Sequence, residues 1–153
     1  MLISLTNSCG FQLQVTDIGE LRSVSLSGPA AGGVRSALAR SLENYGVVVV
    51  AADPNILDIR LVEVRTSRRP VSTSARIDAA QYELRLDLDA SITQERGSIS
   101  REITLSAYRI YSVDSLNLSG SFEEQEMLIS DINDEVADLI LRRIEALLDK
   151  GII

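Results

Sequence analysis

The stretch Tyr82-Glu83-Leu84-Arg85-Leu86-Asp87-Leu88-Asp89-Ala90-Ser91-Ile92 decides the fold. Tyr82, Leu84, Leu86, Leu88, Ala90 and Ile92 alternate with charged or polar neighbours, the period of a strand with one apolar and one wet face. Gln94-Glu95-Arg96-Gly97 then reads as a turn. Ile99, Ile103, Leu105 and Ala107, continuing into Tyr108, Ile110 and Tyr111, read as the returning strand. Together they predict an antiparallel hairpin with a solvated outer face. So long an apolar face needs a cover.

The C-terminal side supplies one. After a polar connection over Ser115–Gly120, Ser121 opens a capping box with Glu124 three residues on. Glu123 and Glu126 favour the positive end of the helix dipole. Leu128, Ile132, Val136, Leu139, Ile140, Ile144 and Leu147 form one stripe, so a helix is expected to about Leu148, ending before Gly151. Such a stripe lies across a sheet and covers its apolar face.

On the N-terminal side, Phe11 to Val15 alternates as a short strand or extended lead-in, and Leu21 to Ser27 as a second piece. Ser27-Gly28-Pro29 is a stop signal. Val34, Leu38, Leu42 and Tyr45 share one helical face, predicting a helix over roughly Ala30 to Tyr45, with Gly46 as its left-handed cap. Val47 to Val50 begins a strand, Asp53-Pro54-Asn55 interrupts it, and Ile56 to Arg65 resumes the extended pattern. Thr66 to Asp78, rich in Ser, Thr and Arg and holding Pro70, reads as a loop or frayed strand edge. The order implies an α+β two-layer sandwich: two helices packed on one face of a largely antiparallel sheet of about four strands.

Composition narrows the function. A chain of 153 residues, 45% hydrophobic and 24% charged, is one globular domain by size. It has no His, which removes the usual general base near neutral pH and the commonest metal ligand. Its one Cys excludes an internal disulfide framework and a zinc cluster. A net charge of −7 argues against nucleic acid as a partner. Asp87 and Asp89 share a strand face as paired carboxylates would, but nothing near them would separate their pKa values, so they read as solvated. The acidic helical stripe Asp131, Asp134, Glu135 and Asp138 lacks the ligand order of a calcium loop. Gly28 to Gly33 precedes a helix without the Gly-Lys-Ser/Thr ending of a phosphate-binding loop. No nucleophile has an activating base, and no cofactor or metal is called for. The sequence reads as a non-enzyme.

Charge segregation is more informative. Residues 65–76 hold Arg65, Arg68, Arg69 and Arg76 and no acid, whereas residues 121–150 hold nine acids against Arg142, Arg143 and Lys150. An arginine-only basic segment suits planar, bidentate contact with phosphate or carboxylate.

The cysteine has a suggestive position. No apolar stretch reaches the eighteen residues of a spanning helix. Met1-Leu2-Ile3-Ser4-Leu5-Thr6-Asn7-Ser8 is too short for a complete secretory leader, yet it ends in a small residue directly before Cys9-Gly10, as at a bacterial lipoprotein processing site. We therefore read residues 1–8 as a residual leader or N-terminal extension and 9–153 as a single periplasmic domain, with Cys9 the candidate lipid attachment. The other reading is a buried or incidental free thiol in a cytosolic protein.

Several stretches resemble one family. Cys9-Gly10-Phe11-Gln12-Leu13 is similar to the mature start of LptE, the lipopolysaccharide-assembly lipoprotein of Gram-negative outer membranes. Val34-Arg35 through Leu42-Glu43-Asn44-Tyr45-Gly46-Val47 resembles its first helix and following turn, and Ala80-Gln81-Tyr82-Glu83-Leu84 resembles a strand start. Glu124-Gln125-Glu126-Met127, leading to Ala137-Asp138 and Leu141-Arg142-Arg143-Ile144, resembles its final helix. The resemblance implies a lipid on Cys9, anchorage in the inner leaflet of the outer membrane, and a place in the lumen of the LptD β-barrel. There the family plugs the barrel, helps assemble it and assists lipopolysaccharide transport. It also implies lipopolysaccharide contacts from basic side chains before the Ala-x-Tyr strand, where Arg76 stands with Arg68 and Arg69 as neighbours. In the loop before the last helix, Gly120 and Ser121 stand where a basic residue is expected. The alternative is an auxiliary lipoprotein of another lipid transporter, in partnership with an inner-membrane complex.

Overall fold

The computed structural model describes residues 18–19, 21–29, 32–73, 79–94, 98–114 and 117–153. In chain order the elements are β1 (Ser23–Ser27), α1 (Gly32–Asn44), β2 (Val48–Val50), β3 (Leu57–Thr73), β4 (Ala79–Gln94), β5 (Ile99–Asp114) and α2 (Leu118–Leu148). The strands form one sheet in the order β2-β1-β3-β4-β5. β1 pairs parallel with both β2 and β3, while the much longer β3–β4 and β4–β5 pairings are antiparallel. This is the expected α+β arrangement with five strands rather than about four. The extra strand arises because β2 and β3 lie on opposite sides of β1 instead of forming one interrupted strand.

Alternation sets the faces. Leu84, Leu86, Leu88, Ala90 and Ile92 of β4 are buried on one side. Ile59 and Leu61 of β3 and Ile103, Ala107 and Tyr111 of β5 are buried on the same side. Against it lie Ile132, Val136, Ile140, Ile144 and Leu147 of α2, and Val34, Ala37, Leu38 and Leu42 of α1. At 1.5 Å per residue the 31 residues of α2 span about 46 Å, close to the length of a sixteen-residue strand. One helix therefore covers most of the hairpin.

The ends of α1 follow the sequence closely. Gly46 has φ 75°, and the Val47 and Gly46 amides donate to the Leu42 and Glu43 carbonyls at 2.9 Å each, a Schellman cap. Gly151 repeats it on α2, with Ile152 donating to Leu147 and Gly151 to Leu148. The start of α2 differs from the expectation. Its N-cap is Asn117, whose side chain accepts from the Gly120 amide, so the helix begins before the expected capping box. Ser121 lies inside the first turns and donates its hydroxyl to the Asn117 carbonyl. Asn is as strong a cap as Ser, and the earlier one prevails.

Of the two readings for residues 66–73, a loop or a strand edge, the strand edge holds. They continue β3, paired with β4 as far as Thr73↔Ala80, rather than forming a loop. Only Leu57–Arg60 of β3 have β1 on their other side, and beyond Arg60 no strand among the described residues pairs with that side. Pro70, which has no N–H to donate, is tolerated there. The expected strand at Phe11–Val15 and the turn residues Glu95, Arg96 and Gly97 lie outside the described residues.

Two substitutions test this packing. Leu88 is fully buried beneath α2, so Leu88→Ala is expected to cost ~2–5 kcal/mol in urea denaturation. Gly28 has φ 102°, and a Cβ there would run into the Leu61 carbonyl. Gly28→Ala should lower stability by at least ~1 kcal/mol, measurable as a reduced melting temperature.

Candidate functional site

Because residues 66–73 are a strand, alternation dictates where the arginines point. Arg65 and Arg69 stand opposite Asp87 and Glu83 on the open face, whereas Arg68 stands opposite Leu84 on the helix-bearing face. The structure thus separates Arg68 from Arg69, and Arg76 lies outside the described residues.

The open face neutralises its own charge. Arg65 lies 2.7 Å from Glu63 and 2.8 Å from Asp89, which also accepts from the Thr104 hydroxyl. Arg85 meets Asp87 at 3.0 Å, so the candidate acid pair Asp87/Asp89 consists of two ion-paired carboxylates. Arg69 forks onto Glu83, Nε to Oε1 at 2.8 Å and Nη2 to Oε2 at 3.0 Å, and Glu83 is only 6% exposed. The hydrogen bonds from Arg69 hold the Glu83 carboxyl below its usual range despite burial, which acts the other way. The hydrogen bonds from Arg65 and Thr104 do the same for Asp89.

Arg68 is different. No acid pairs with it among the described residues. Its guanidinium carbon sits 3.8 Å from the centre of the Tyr82 ring and 5.7 Å from that of Tyr111. The two rings are 6.1 Å apart, and the Tyr111 hydroxyl donates to Gln125 Oε1 at 2.7 Å, tying the stack to α2. Burial raises the Tyr111 pKa, partly offset by the charge of Arg68. A hydrogen bond between Arg68 and the Tyr111 side chain adds to the stack.

Apolar surface adjoins this cation. A cavity of about 170 Å³ is lined by Arg68, Val113, Leu118, Ser121, Phe122 and Gln125. A second of about 220 Å³, between the helices and the sheet, is lined by Val34, Val64, Thr66, Leu84, Leu86 and Ile129 among others. Thr66 and Arg68 are two residues apart on one face of β3, so the two cavities are neighbours along the strand. Phe122 and Met127 on α2 are 64% and 69% exposed. A larger cavity, about 680 Å³, lies at the far end beside Ser25, Asp53 and Asp58, and its described lining holds no basic side chain. Among the described residues no cluster of acidic or thiol groups is placed to hold a metal ion, and no helix is long and apolar enough to cross a membrane.

The sequence pointed to the arginines but not to Tyr82, Tyr111 or Gln125. A turn closed at Gln94–Gly97 would set Tyr82 opposite Arg109; the observed register pairs Gln94 with Ile99 and so brings Tyr82 opposite Tyr111. Cys9 lies outside the described residues.

The domain is a two-layer α+β fold in which an arginine without an acid partner among the described residues stacks on two tyrosines beside apolar slots. The chain matches the family described as "LptE: Lipopolysaccharide-assembly" over residues 21–144, and it belongs to that family of non-enzymatic lipoproteins. Solved structures agree on the fold. A minor lipoprotein from Acinetobacter baumannii is 24% identical, with a TM-score of 0.68 over 82% of this chain and 91% of its own. Rare lipoprotein B from Shewanella oneidensis is 19% identical, with a TM-score of 0.71 over 84% and 97%. An uncharacterised lipoprotein B from Nitrosomonas europaea is 24% identical, with a TM-score of 0.65 over 86% of each chain. Comparison with curated protein sequences gives no match.

The carboxylates give a pH test. Glu83 and Asp89 bind protons less readily folded than unfolded, so their stabilising contribution is complete above their unfolded values of 4.5 and 3.8. It is lost as pH falls through the lower folded values. Thermal melts should be flat in this respect above about pH 5 and fall below about pH 4.5. Glu83→Gln should shrink the fall.

Proposed function

We propose that this chain is a non-catalytic outer-membrane lipoprotein, anchored through a lipid on Cys9 to the inner leaflet. It plugs and helps assemble the LptD β-barrel and binds lipopolysaccharide in transit to the cell surface. Arg68, with Arg69 and Arg76, provides the anion contacts. The observation that carries the lipid-binding part is Arg68: an arginine without an acid partner among the described residues, stacked on Tyr82 and Tyr111 beside apolar slots. A phosphate with attached acyl chains matches that combination of donors and apolar surface. Arg69 already spends its fork on Glu83, so its part is smaller. The polar, internally ion-paired sheet face suits the water-filled interior of a large barrel. The absence of any His from the chain agrees with a role that involves no acid–base catalysis.

Arg68→Ala is expected to weaken lipopolysaccharide binding on the order of tenfold, the size of one or two charge-assisted hydrogen bonds. Arg69→Ala should weaken it less, and the wild-type affinity should fall with added salt. Surface plasmon resonance on immobilised lipopolysaccharide reads all three. Unchanged binding in Arg68→Ala at low ionic strength would remove Arg68 from the site. Co-purification with LptD tests the barrel partnership, and an unaltered membrane fraction for Cys9→Ala would exclude the anchor.

A further inference from the structure

Protein interiors are close-packed and hold few voids larger than a water molecule, yet this core leaves a larger one. The cavity of about 220 Å³ between α1, α2 and the β3–β4 pair has Val34, Leu84, Leu86 and Ile132, each at most 3% exposed, in its lining. Its described lining carries no charge, and its only polar side chains are Thr66 and Asn133. An apolar cavity of roughly 150 Å³ is already large enough to stay dry and take up benzene.

The two ends of this slot differ. At one end α1 and α2 touch: a Cβ on Gly33 would come within 2.6 Å of the Asn133 side-chain nitrogen. Towards the other, Leu86 and Leu84 of the lining stand opposite Thr66 and Arg68 of β3. Thr66 and Arg68 are exposed, and no described strand pairs with this part of β3 on its outer side. From Val64 of the lining to Arg68 is about 13 Å of strand. On α2, Ile129 of the lining lies one turn beyond Gln125, which holds Tyr111 and with it the Arg68 stack. The slot thus runs along β3 and α2 towards a cation that has no acid partner among the described residues. One hydrogen bond joins Arg68 to Tyr111, whereas a guanidinium carries five N–H donors.

We propose that this slot holds one acyl chain of a phosphate-bearing lipid whose phosphate meets Arg68 at the exposed end. The inference rests on the reading of Arg68 given above and adds where the apolar part of the ligand goes. Charge complementarity fixes the direction: the anion stays with Arg68 and Thr66 at the rim, and the chain passes inward over Leu84 and Leu86 towards Ile132. Burial of methylene groups supplies the affinity, and the arginine supplies the preference for an anionic head.

Calorimetric titration of the full chain with hexyl, octyl and decyl phosphate, below their micelle concentrations, tests this. Affinity should rise about fourfold for each methylene buried. Octyl glucoside, with the same chain and no charge, should bind on the order of tenfold more weakly than octyl phosphate. Thr66→Phe, at the exposed rim, and Ile129→Phe, on the α2 wall, should each remove the dependence on chain length, and a retained melting temperature in either one is enough for the test. Wild-type affinity that ignores chain length overturns the slot; if lipopolysaccharide then still binds and Arg68→Ala weakens it, the reading of Arg68 stands. Length dependence that survives both substitutions overturns the slot too, and its loss in Phe122→Ser would then place the chain on the exposed end of α2. If neither the alkyl phosphates nor lipopolysaccharide bind, both readings fall.

Discussion

The structure depends on covering one face of β4. A sixteen-residue strand with Leu84, Leu86, Leu88, Ala90 and Ile92 on one side presents more apolar surface than a short helix can shield. The 31-residue α2 meets that need because its stripe, Leu128 to Leu147, recurs at helical spacing over about five turns, and α1 closes the remaining end. Arg40 of α1 and Asp134 of α2, 2.8 Å apart, form an exposed bridge that adds little to a contact already made by apolar packing. With both helices on one face, the other is left to water. Its charges are then arranged as pairs: Arg65 with Glu63 and Asp89, Arg69 with Glu83, Arg85 with Asp87.

That division of faces creates the candidate site. Consecutive residues on a strand point to opposite sides, so Arg68 and Arg69 cannot act as one cluster. Arg69 meets a buried carboxylate and is held. Arg68 emerges among tyrosines and apolar side chains, where its charge is supported by ring faces instead of an acid. A cation in that setting, with apolar slots on the same side of β3, is the feature on which the proposed lipopolysaccharide contact rests. The open face carries ion pairs, with Tyr108 and Ile110 exposed beside them.

The hairpin, the helical stripe of α2, the glycine caps at Gly46 and Gly151 and the polar face of β4 were all legible from periodicity and cap chemistry. What escaped was decided by neighbours distant in sequence. Thr66–Thr73 looks like a loop because its Ser, Thr and Arg residues have no apolar partner within their own stretch. It is a strand because β4, already held by α2, offers it a full set of backbone partners. Asn117 was overlooked as a cap because Ser121 and Glu124 made a complete local motif, and only the helix's observed start distinguishes the two. Tyr111 and Gln125 are fourteen residues apart and became partners when α2 folded back over β5.

By itself the sequence determined the secondary-structure periods, the two-layer class and the presence of a basic segment in an acidic chain, since these follow from local spacing and composition. Tertiary structure alone decided what each described arginine of that segment meets. Pairing with β4 turned a basic segment into an ordered strand, alternation sent Arg69 to Glu83 and Arg68 to Tyr82 and Tyr111, and the availability of a charge depends on what stands across the sheet from it.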